Sequence, residues 1–431
     1  MFKLEGKLVT VMKYKYSYPI PEERIRQFEE MAFGIFVHWG LYSINARGEW
    51  SMPLHQISKE EYAKLADRFD ASEYDPKRFV QNVKNAGAKY ITLTSKHHEG
   101  FFLNDAKGLS DFDAVSHAPK RDLLREFVAA CNEEDIVPLF YYATYEYDNP
   151  LWHDDFEEGY LNYIRDSVEL LCTNYGKIGG LWFDGNWARG DADWRLDELY
   201  SMIRKHQPEA MIIENTGLHA HGKISHPEID SVTFEQGLPQ PLDRTGHLKY
   251  VAGEMCQTTN NHWGIAQMDL NYKSTKELIE TLCACRKLGA NYLMNVGPDE
   301  DGNMTKMQEA ILEVIGKWMA IHSVAIYKGK PCEVATSEKK DFALKDNDGY
   351  IYLFIHDLDI VADANVIRHR DFKTPRQFVN IKQKIKRIEW MDNGEDLLFA
   401  QDTEAGELIL HPTHYPYGTD LVVRVAKIYN D

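Results

Sequence analysis

The sequence predicts an α/β protein with a (β/α)8-like barrel over residues 1–330, followed by a C-terminal antiparallel β-sandwich over residues 331–431. Three observations lead to this fold class. Short apolar runs alternate with amphipathic helical segments as far as about residue 322. The runs number eight, which is the strand count of a closed parallel barrel. From about residue 335 strands follow one another without comparable helical segments.

The eight apolar runs are the candidate barrel strands because each is short and is separated from the next by turns or helical segments. In chain order they read FGIFVHW, KYITLTS, IVPLFYY, GGLWFD, AMIIEN, SVTFE, YVAGEMC and ANYLMNV. The segments between most of them, such as RDLLREFVAACNEED and STKELIETLCACRKLG, carry apolar residues at helical spacing. The connections after AMIIEN and SVTFE are irregular, so we expect one helix there to be missing or replaced by loops.

The C-terminal part of the chain has the pattern of a small β domain. Its candidate strands lie in the segments GYIYLFIHD, IKRIEWMD, GELILHP and DLVVRVAKI, with turn residues between them. Strands joined by turns pair in antiparallel fashion, which favours a sandwich. We place the boundary with the barrel near residues 323–335.

Composition and charge limit the classes of partner. The net charge is −18, from 49 basic and 67 acidic residues, so neither nucleic acid nor an anionic membrane is an expected partner. No stretch of about eighteen apolar residues is present, so no membrane-spanning helix is expected. The N-terminal segment lacks the apolar core of a signal peptide, which favours a cytoplasmic location. The six cysteines have neither disulfide-framework nor metal-ligand spacing.

Each of the eight runs ends in polar or aromatic residues, although a strand buried on both faces should be nearly all apolar. In chain order these residues are His38-Trp39, His97-His98-Glu99, Tyr141-Tyr142, Asp184, Glu214-Asn215, Glu235, Glu254 and Asn295. The chemistry of such barrels takes place at the carboxyl ends of the strands. The sequence therefore predicts a cup lined by carboxylates, imidazoles and indoles.

Asp184 is the most unusual of these residues, since it follows an apolar run directly and an aromatic-rich turn follows it. A buried carboxylate is costly unless it is paired or hydrogen-bonded. No glycine-rich phosphate loop occurs at a strand-to-helix turn, so no cofactor is expected. Indole faces pack on the C–H faces of sugars, and two carboxylates can serve as the nucleophile and acid/base of a glycosidase. Helix capping is the alternative role for such an aspartate.

Five motifs occur in the order FGIFVHWGLYS, EWSM, KYITLTSKHHEGF, LWFDG and GANYLMNVGPDEDG. Together they resemble the motifs of the α-L-fucosidases of glycoside hydrolase family 29. The similarity covers roughly residues 30–325, and the β-rich tail matches the usual C-terminal domain of the family. The resemblance implies a retaining exo-α-L-fucosidase that forms a covalent fucosyl-enzyme intermediate, with a small-molecule or oligosaccharide α-L-fucoside as its substrate.

The resemblance implies that Asp184, in LWFDG, is the catalytic nucleophile. The general acid/base has no reliable local motif in this family, and four glutamates compete for the role: Glu214, Glu228, Glu235 and Glu254. We favour Glu235, which ends the sixth run at about the interval from the nucleophile that the family leads us to expect. Glu254 matches another family motif and remains open, as does Glu228.

The residues that the resemblance assigns to sugar binding are His38, Glu49, Trp50, His97, His98, Tyr142, Trp182 and Trp263. Trp263 is expected to face the methyl side of the sugar. His97 and His98 are adjacent, so both reach one side of the sheet only if the strand has ended or bulged there. Some members of the family place an arginine just beyond the fifth strand, whereas IIENTGLHAHG contains none.

Two other classes of function remain open on the sequence alone. One is a metal-dependent barrel hydrolase that uses His38, His97, His98 and Asp184 as ligands, although we expect no metal. The other is a catalytically silent carbohydrate-binding protein on the same scaffold. Within the favoured function, side activity on α-L-galactosides is expected, because an apolar pocket wall discriminates weakly against an added hydroxyl. A homo-oligomer is compatible with the sequence.

Overall fold

The computed structural model describes residues 19–359 and 375–431, so most of the N-terminal segment behind the localisation prediction lies outside the described residues. Internal contacts divide the described chain into two units. One comprises Pro19–Leu278 and Ala290–Lys317, and the other comprises Ile279–Gly289 and the residues from Trp318 onward. The domain boundary at residues 330/331 stays a prediction.

The first unit contains a closed barrel of eight parallel strands that neighbour one another in sequence order. The strands are β1 (Phe33–Val37), β2 (Tyr90–Lys96), β3 (Val137–Ala143), β4 (Gly180–Asp184), β5 (Met211–Asn215), β6 (Ser231–Glu235), β7 (Ala252–Thr258) and β8 (Asn291–Val296). The barrel closes where β8 pairs with β1, with Phe33 opposite Tyr292. Each strand lies within or overlaps one of the eight predicted runs, and the predicted fold class is confirmed.

The helices accompany the barrel strands. They are α1 (Glu23–Met31), α2 (Tyr42–Asn45), α3 (Ser51–Leu54), α4 (Lys59–Ala63), α5 (Pro76–Asn85), α6 (Leu123–Glu133), α7 (Pro150–Asp154), α8 (Leu161–Asn174), α9 (Leu196–His206), α10 (Thr275–Lys287) and α11 (Lys306–Lys328). Asp75 caps α5 and Asp122 caps α6, each by accepting a backbone hydrogen bond three residues later. Residues 216–230 and 236–251, all of them described, form no helix, as expected for the two irregular connections.

The barrel interior is filled by aromatic and aliphatic side chains from alternate positions of the strands. Phe36, Tyr141 and Trp182 pack together, with ring centroids 4.9–5.7 Å apart. Phe28 of α1 packs on Tyr90 at the start of β2. This core extends to the carboxyl end of the barrel, where Phe36 contacts His38 and Tyr141 donates to Asp184.

The second unit contains two antiparallel sheets. Their strands are β9 (Lys330–Pro331), β10 (Ala335–Thr336), β11 (Phe342–Lys345), β12 (Ile351–Ile355), β13 (Arg376–Val379), β14 (Ile385–Trp390), β15 (Leu398–Asp402), β16 (Glu407–His411) and β17 (Arg424–Asn430). The sheet orders are β10-β13-β16-β15 and β14-β17-β12-β11-β9. Side chains of both sheets, including Phe378, Leu408, Leu353 and Trp390, share one apolar core, which makes the pair a sandwich.

Among the described residues, α11 is the one helix that is long and apolar enough to cross a membrane by length and composition. Charged residues interrupt this helix, so it contains no continuous apolar stretch of about eighteen residues. About 44% of its most apolar window is buried, and the core helix of a globular protein has the same properties.

Candidate active site

Asp184, the last residue of β4, lies at the centre of a hydrogen-bond network at the carboxyl end of the barrel. Its Oδ2 accepts from Tyr141 Oη at 2.9 Å, and its Oδ1 accepts from Trp187 Nε1 at 2.8 Å and from Asn215 Nδ2 at 3.1 Å. His98 Nε2 lies 3.4 Å from Oδ2. Burial opposes ionisation, but these donors and the imidazole outweigh it and lower the pKa of Asp184 to about 2. The carboxyl group is therefore ionised at neutral pH.

Glu235, the last residue of β6, faces Asp184 across the side chain of Asn215. Asn215 Nδ2 donates to Glu235 Oε2 at 2.8 Å while it also donates to Asp184. The pKa of Glu235 is raised to about 7, mainly by burial and also by the charges of Asp184 and Glu49, against the opposing hydrogen bonds of Asn215 and Trp263. The pKa values of the two carboxyl groups are thus displaced in opposite directions, so one group is ionised near neutral pH while the other can hold a proton.

The side chains of Asp184 and Glu235 line a cavity of about 660 Å³. Of the predicted site residues, the cavity is lined by His38, Glu49, Trp50, His97, His98, Trp182, Asp184, Glu235 and Trp263. It is also lined by residues outside that prediction, among them Phe36, Tyr141, Trp187, Asn215, His219 and Asn261. The barrel ends therefore bring together nine of the ten predicted residues.

Tyr142 is the exception, and the structure corrects its predicted position. It is absent from the cavity lining, and its ring packs under the Lys96 ammonium group at 4.2 Å and beside Phe183. Successive side chains of a strand point to opposite faces. Tyr141, paired with Trp182 in the barrel ladder, is the residue of β3 that faces inward and reaches Asp184.

His97 and His98 both line the cavity, as the resemblance implies, because β2 has ended before them. The pairing of β2 with β3 shifts register between Thr94 and Lys96, and the two histidines follow the last paired residue. His98 Nδ1 contacts the backbone oxygen of Tyr145 at 2.7 Å, so this nitrogen carries a proton and Nε2 faces Asp184.

The orientation of the His38 ring is fixed by Asn295 at the end of β8. Asn295 Nδ2 donates to the backbone oxygen of Trp263 at 2.7 Å, so its Oδ1 is the atom that meets His38 Nδ1 at 2.8 Å. His38 Nδ1 must then donate, which leaves Nε2 as an acceptor. Burial lowers the pKa of His38 well below its ordinary value, and the neighbouring His97 adds to the effect. His38 therefore stays neutral.

Glu49 and the indoles form the other walls of the cavity. Glu49 Oε2 accepts from the backbone N–H groups of Trp263 and Gly264 at 3.0 and 2.8 Å, which fixes its carboxyl group beside the Trp263 ring. Burial raises the pKa of Glu49, and the backbone donors oppose the shift. Trp50 and Trp187 lie with ring centroids 6.5 Å apart. The result is a cavity that combines aromatic walls with carboxyl, imidazole and amide groups.

The other three glutamates that competed for the acid/base role lie outside the cavity lining. Glu254 is inside the barrel, where its carboxyl group accepts from Tyr90 Oη at 2.6 Å and Trp182 Nε1 at 2.8 Å. Glu214 accepts from Asn186 and Ser225. The Glu228 side chain is 49% exposed beside an arginine. Of the four, Glu235 is the one that shares a hydrogen-bond donor with Asp184.

Sequence reasoning missed three residues that contact Asp184, namely Tyr141, Trp187 and Asn215. Tyr141 and Asn215 were visible as polar ends of runs, and strict alternation along β3 would have distinguished Tyr141 from its neighbour. Trp187 follows the glycine turn after Asp184, and only the path of that turn carries its indole back to the carboxylate. Within residues 19–359 and 375–431, no three His, Cys, Asp or Glu side chains are grouped as metal ligands.

Comparison with known proteins identifies the family. The profile of the alpha-L-fucosidase family matches residues 12–324. The tissue alpha-L-fucosidase of Mus musculus is 30% identical over 451 residues, covering 96% of this chain and 93% of the mouse protein. The structure of alpha-L-fucosidase isoenzyme 1 from Paenibacillus thiaminolyticus is similar with a TM-score of 0.76 and 29% identity, over 95% of this chain and 99% of that one.

A more distant structure supports the fold alone. An alpha-L-fucosidase GH29 from Bacteroides thetaiotaomicron superposes with a TM-score of 0.78 at 21% identity, over 96% of this chain and 97% of that one. The resemblance that the five sequence motifs carry is confirmed by the family profile. Because that profile spans well over half of the sequence, the chain belongs to the alpha-L-fucosidase family of glycoside hydrolases.

Proposed function

We propose that the protein is a retaining exo-α-L-fucosidase with Asp184 as its nucleophile and Glu235 as its general acid/base. The observation that carries this proposal is the single amide nitrogen of Asn215 that contacts both carboxyl groups. The two accepting oxygens lie 3.1 and 2.8 Å from this one nitrogen, so they cannot be more than about 6 Å apart. Carboxyl groups about 5–5.5 Å apart are typical of retaining glycosidases, whereas inverting enzymes need more room for a water.

In the first step the Asp184 carboxylate attacks the anomeric carbon, and the bond from that carbon to the leaving oxygen breaks. The leaving oxygen takes the proton of Glu235. In the second step the Glu235 carboxylate takes a proton from a water whose oxygen attacks the same carbon, and the Asp184 carboxylate is released. The pKa values of about 2 for Asp184 and about 7 for Glu235 place each group in the form that the first step requires.

The cavity suits one terminal sugar. Neutral His38 offers Nε2 as an acceptor for a sugar hydroxyl, and His97, His98 and Glu49 supply further polar contacts. Trp182, Trp263 and the other aromatic walls would pack on the C–H faces and on the methyl group of fucose. An apolar wall discriminates weakly against an added hydroxyl, so we keep the expectation of slower cleavage of α-L-galactosides.

The test measures hydrolysis of an aryl α-L-fucoside by Asp184→Ala and Glu235→Ala, each with and without azide. Asp184→Ala should lose nearly all activity, and azide should yield the fucosyl azide of inverted configuration. Glu235→Ala should retain more activity on an activated aryl group than on a natural leaving group, and azide should yield the retained product. Glu228→Gln is the matched control and should behave as wild type, because its exposed side chain lies outside the cavity lining.

Two results would contradict the proposal. An initial hydrolysis product of inverted configuration would exclude the double displacement. A wild-type protein that binds fucose without cleaving any fucoside, and that binds equally well as Asp184→Ala, would instead be a carbohydrate-binding protein on this scaffold.

A further inference from the structure

The side chain of Asn215 uses both amide hydrogens on the two carboxyl groups of the site. It ends β5, is 3% exposed and lies between the strands that carry Asp184 and Glu235. Nδ2 donates to Asp184 Oδ1 at 3.1 Å and to Glu235 Oε2 at 2.8 Å. No other side chain among the described residues is recorded with hydrogen bonds to both.

The opposite end of the amide is fixed as well. Oδ1 accepts from Thr233 Oγ1 at 2.9 Å and from the backbone N–H of Gly217 at 3.2 Å. A backbone N–H can only donate, so the atom that faces Gly217 must be the oxygen and not the amide nitrogen. Thr233 belongs to the same strand as Glu235 and is buried, so its hydroxyl is held in place by the barrel itself.

This arrangement has an electrostatic consequence. A donor shared by two carboxyl groups stabilises the ionised form of each and separates two charges that would otherwise repel at close range. Glu235 Oε2 already accepts the amide hydrogen, so Oε1 is the better place for the transferable proton. After that proton leaves, the same N–H continues to stabilise the Glu235 carboxylate, which must then act as a base.

We propose that Asn215 is a positioning residue that sets the separation of the Asp184 and Glu235 carboxyl groups, and that Thr233 and Gly217 lock its amide in the required orientation. The inference rests on the proposed roles of the two carboxyl groups.

The test compares Asn215→Ala and Asn215→Asp with wild type in kcat/KM and in its pH dependence. Loss of a hydrogen bond to a charged group should lower kcat/KM roughly tenfold to hundredfold. In Asn215→Ala the alkaline limb should move to higher pH by about one unit, because the ionised Glu235 has lost its donor. In Asn215→Asp it should move further, because a third carboxyl group then lies beside Asp184 and Glu235. The groups that face the pair, His98, Tyr141 and Glu49, are unchanged in these variants. Asn215→Asp keeps the size and the Oδ1 contacts of the side chain, so a shifted limb in this variant shows that the group at position 215 acts on Glu235 even if the alanine variant folds poorly.

Thr233→Val tests the orientation of the amide, and Thr92→Val is its matched control. Both threonines are buried in barrel strands, but Thr92 Oγ1 has no hydrogen-bond partner among the described residues. Thr233→Val should lower kcat severalfold with little change in KM, and Thr92→Val should not.

Two outcomes would overturn the inference. One is an alkaline limb that stays in place in both Asn215 variants. The other is an equal change in kcat in Thr233→Val and Thr92→Val. The azide products of the Asp184 and Glu235 variants are independent of Asn215, so failure of this inference remains distinguishable from failure of the proposed function.

Discussion

Tyr141 and Tyr142 are neighbours in the chain, yet only one of them reaches the site. Tyr141 points into the barrel and donates to Asp184, whereas Tyr142 points to the outer face and packs on Lys96. Alternation along β3 imposes this difference. At the scale of single residues, the face of the strand decides function more than the type of side chain does.

The tyrosine pair gives a matched prediction. Tyr141→Phe should lower kcat/KM about 10- to 100-fold, because a hydrogen bond to a charged carboxylate contributes about 1.5–3 kcal/mol. Tyr142→Phe removes the same hydroxyl one residue away and should leave kcat/KM near the wild-type value. Steady-state kinetics on an aryl α-L-fucoside compare the two. Equal losses in both variants would contradict the assignment of Tyr141.

The two carboxyl groups also predict the pH dependence of the wild-type enzyme. In the proposed roles, Asp184 must be ionised and Glu235 protonated, so kcat/KM should fall as pH rises through about 7, the pKa of Glu235. On the acid side, Asp184 should stay ionised down to about pH 2, the value to which its pKa is lowered. A pH profile of kcat/KM measures both limbs. An alkaline limb that persists near pH 7 in Glu235→Gln would assign it to another group.

At the scale of elements, one hydrogen-bond chain crosses the barrel interior. Tyr90 at the start of β2 and Trp182 of β4 both donate to Glu254 of β7. Burial raises the pKa of Glu254 to about 7, and the two donors oppose the shift. Gly34 of β1 makes room for this chain, since a Cβ atom there would lie 2.4 Å from the Tyr90 ring. Three strands are thereby tied together beneath the site.

Gly34→Ala should therefore destabilise the barrel. Overpacking in a close-packed core costs about 1–3 kcal/mol, and displacement of Tyr90 would also weaken its bond to Glu254. The control is Gly190→Ala, where φ is −60° and the nearest atom to an added Cβ lies 3.9 Å away. Thermal unfolding of both variants measures the effect. If the thermal unfolding midpoint of Gly34→Ala were as high as that of Gly190→Ala, the Tyr90 ring would have moved aside without loss of stability.

The sequence predicted the barrel strands better than the strands of the sandwich, for a physical reason. Barrel strands are buried on both faces and read as apolar runs, as β1 and β2 do. In the sandwich, no residue of β15 is fully buried, and β9 and β10 are only two residues long. Their position depends on pairing with neighbours, which no local pattern records.

At the scale of the whole molecule, each unit has its own core, and every residue that lines the cavity belongs to the barrel unit. The sandwich is stabilised around a buried ion pair. Arg424 is fully buried, donates to both oxygens of Asp392 at 3.1 and 3.0 Å, and stacks on Trp390 at 4.0 Å. Loss of either partner would leave an uncompensated charge in the core.

Arg424→Met should accordingly destabilise the sandwich by about 3–5 kcal/mol, the usual cost of breaking a buried pair. Arg387→Met is the control, because Arg387 is 47% exposed and its pair with Glu389 should contribute at most about 1 kcal/mol. Calorimetry of the full chain measures the loss, and KM at a temperature below the transition should stay unchanged. Equal destabilisation by the two substitutions would contradict this role of the ion pair.

The sequence by itself determined the barrel, the order of its strands and the family, and nine of the ten residues that it predicts for the site line one cavity. These features depend on local periodicity and on motifs, which are contiguous in the chain. Only the tertiary structure decided that Tyr141 replaces Tyr142, that Glu254 lies in the core, and that Asn215 joins Asp184 to Glu235. Those outcomes depend on strand register and on atoms brought together from different strands, because hydrogen bonds between distant residues leave no periodic trace in a sequence.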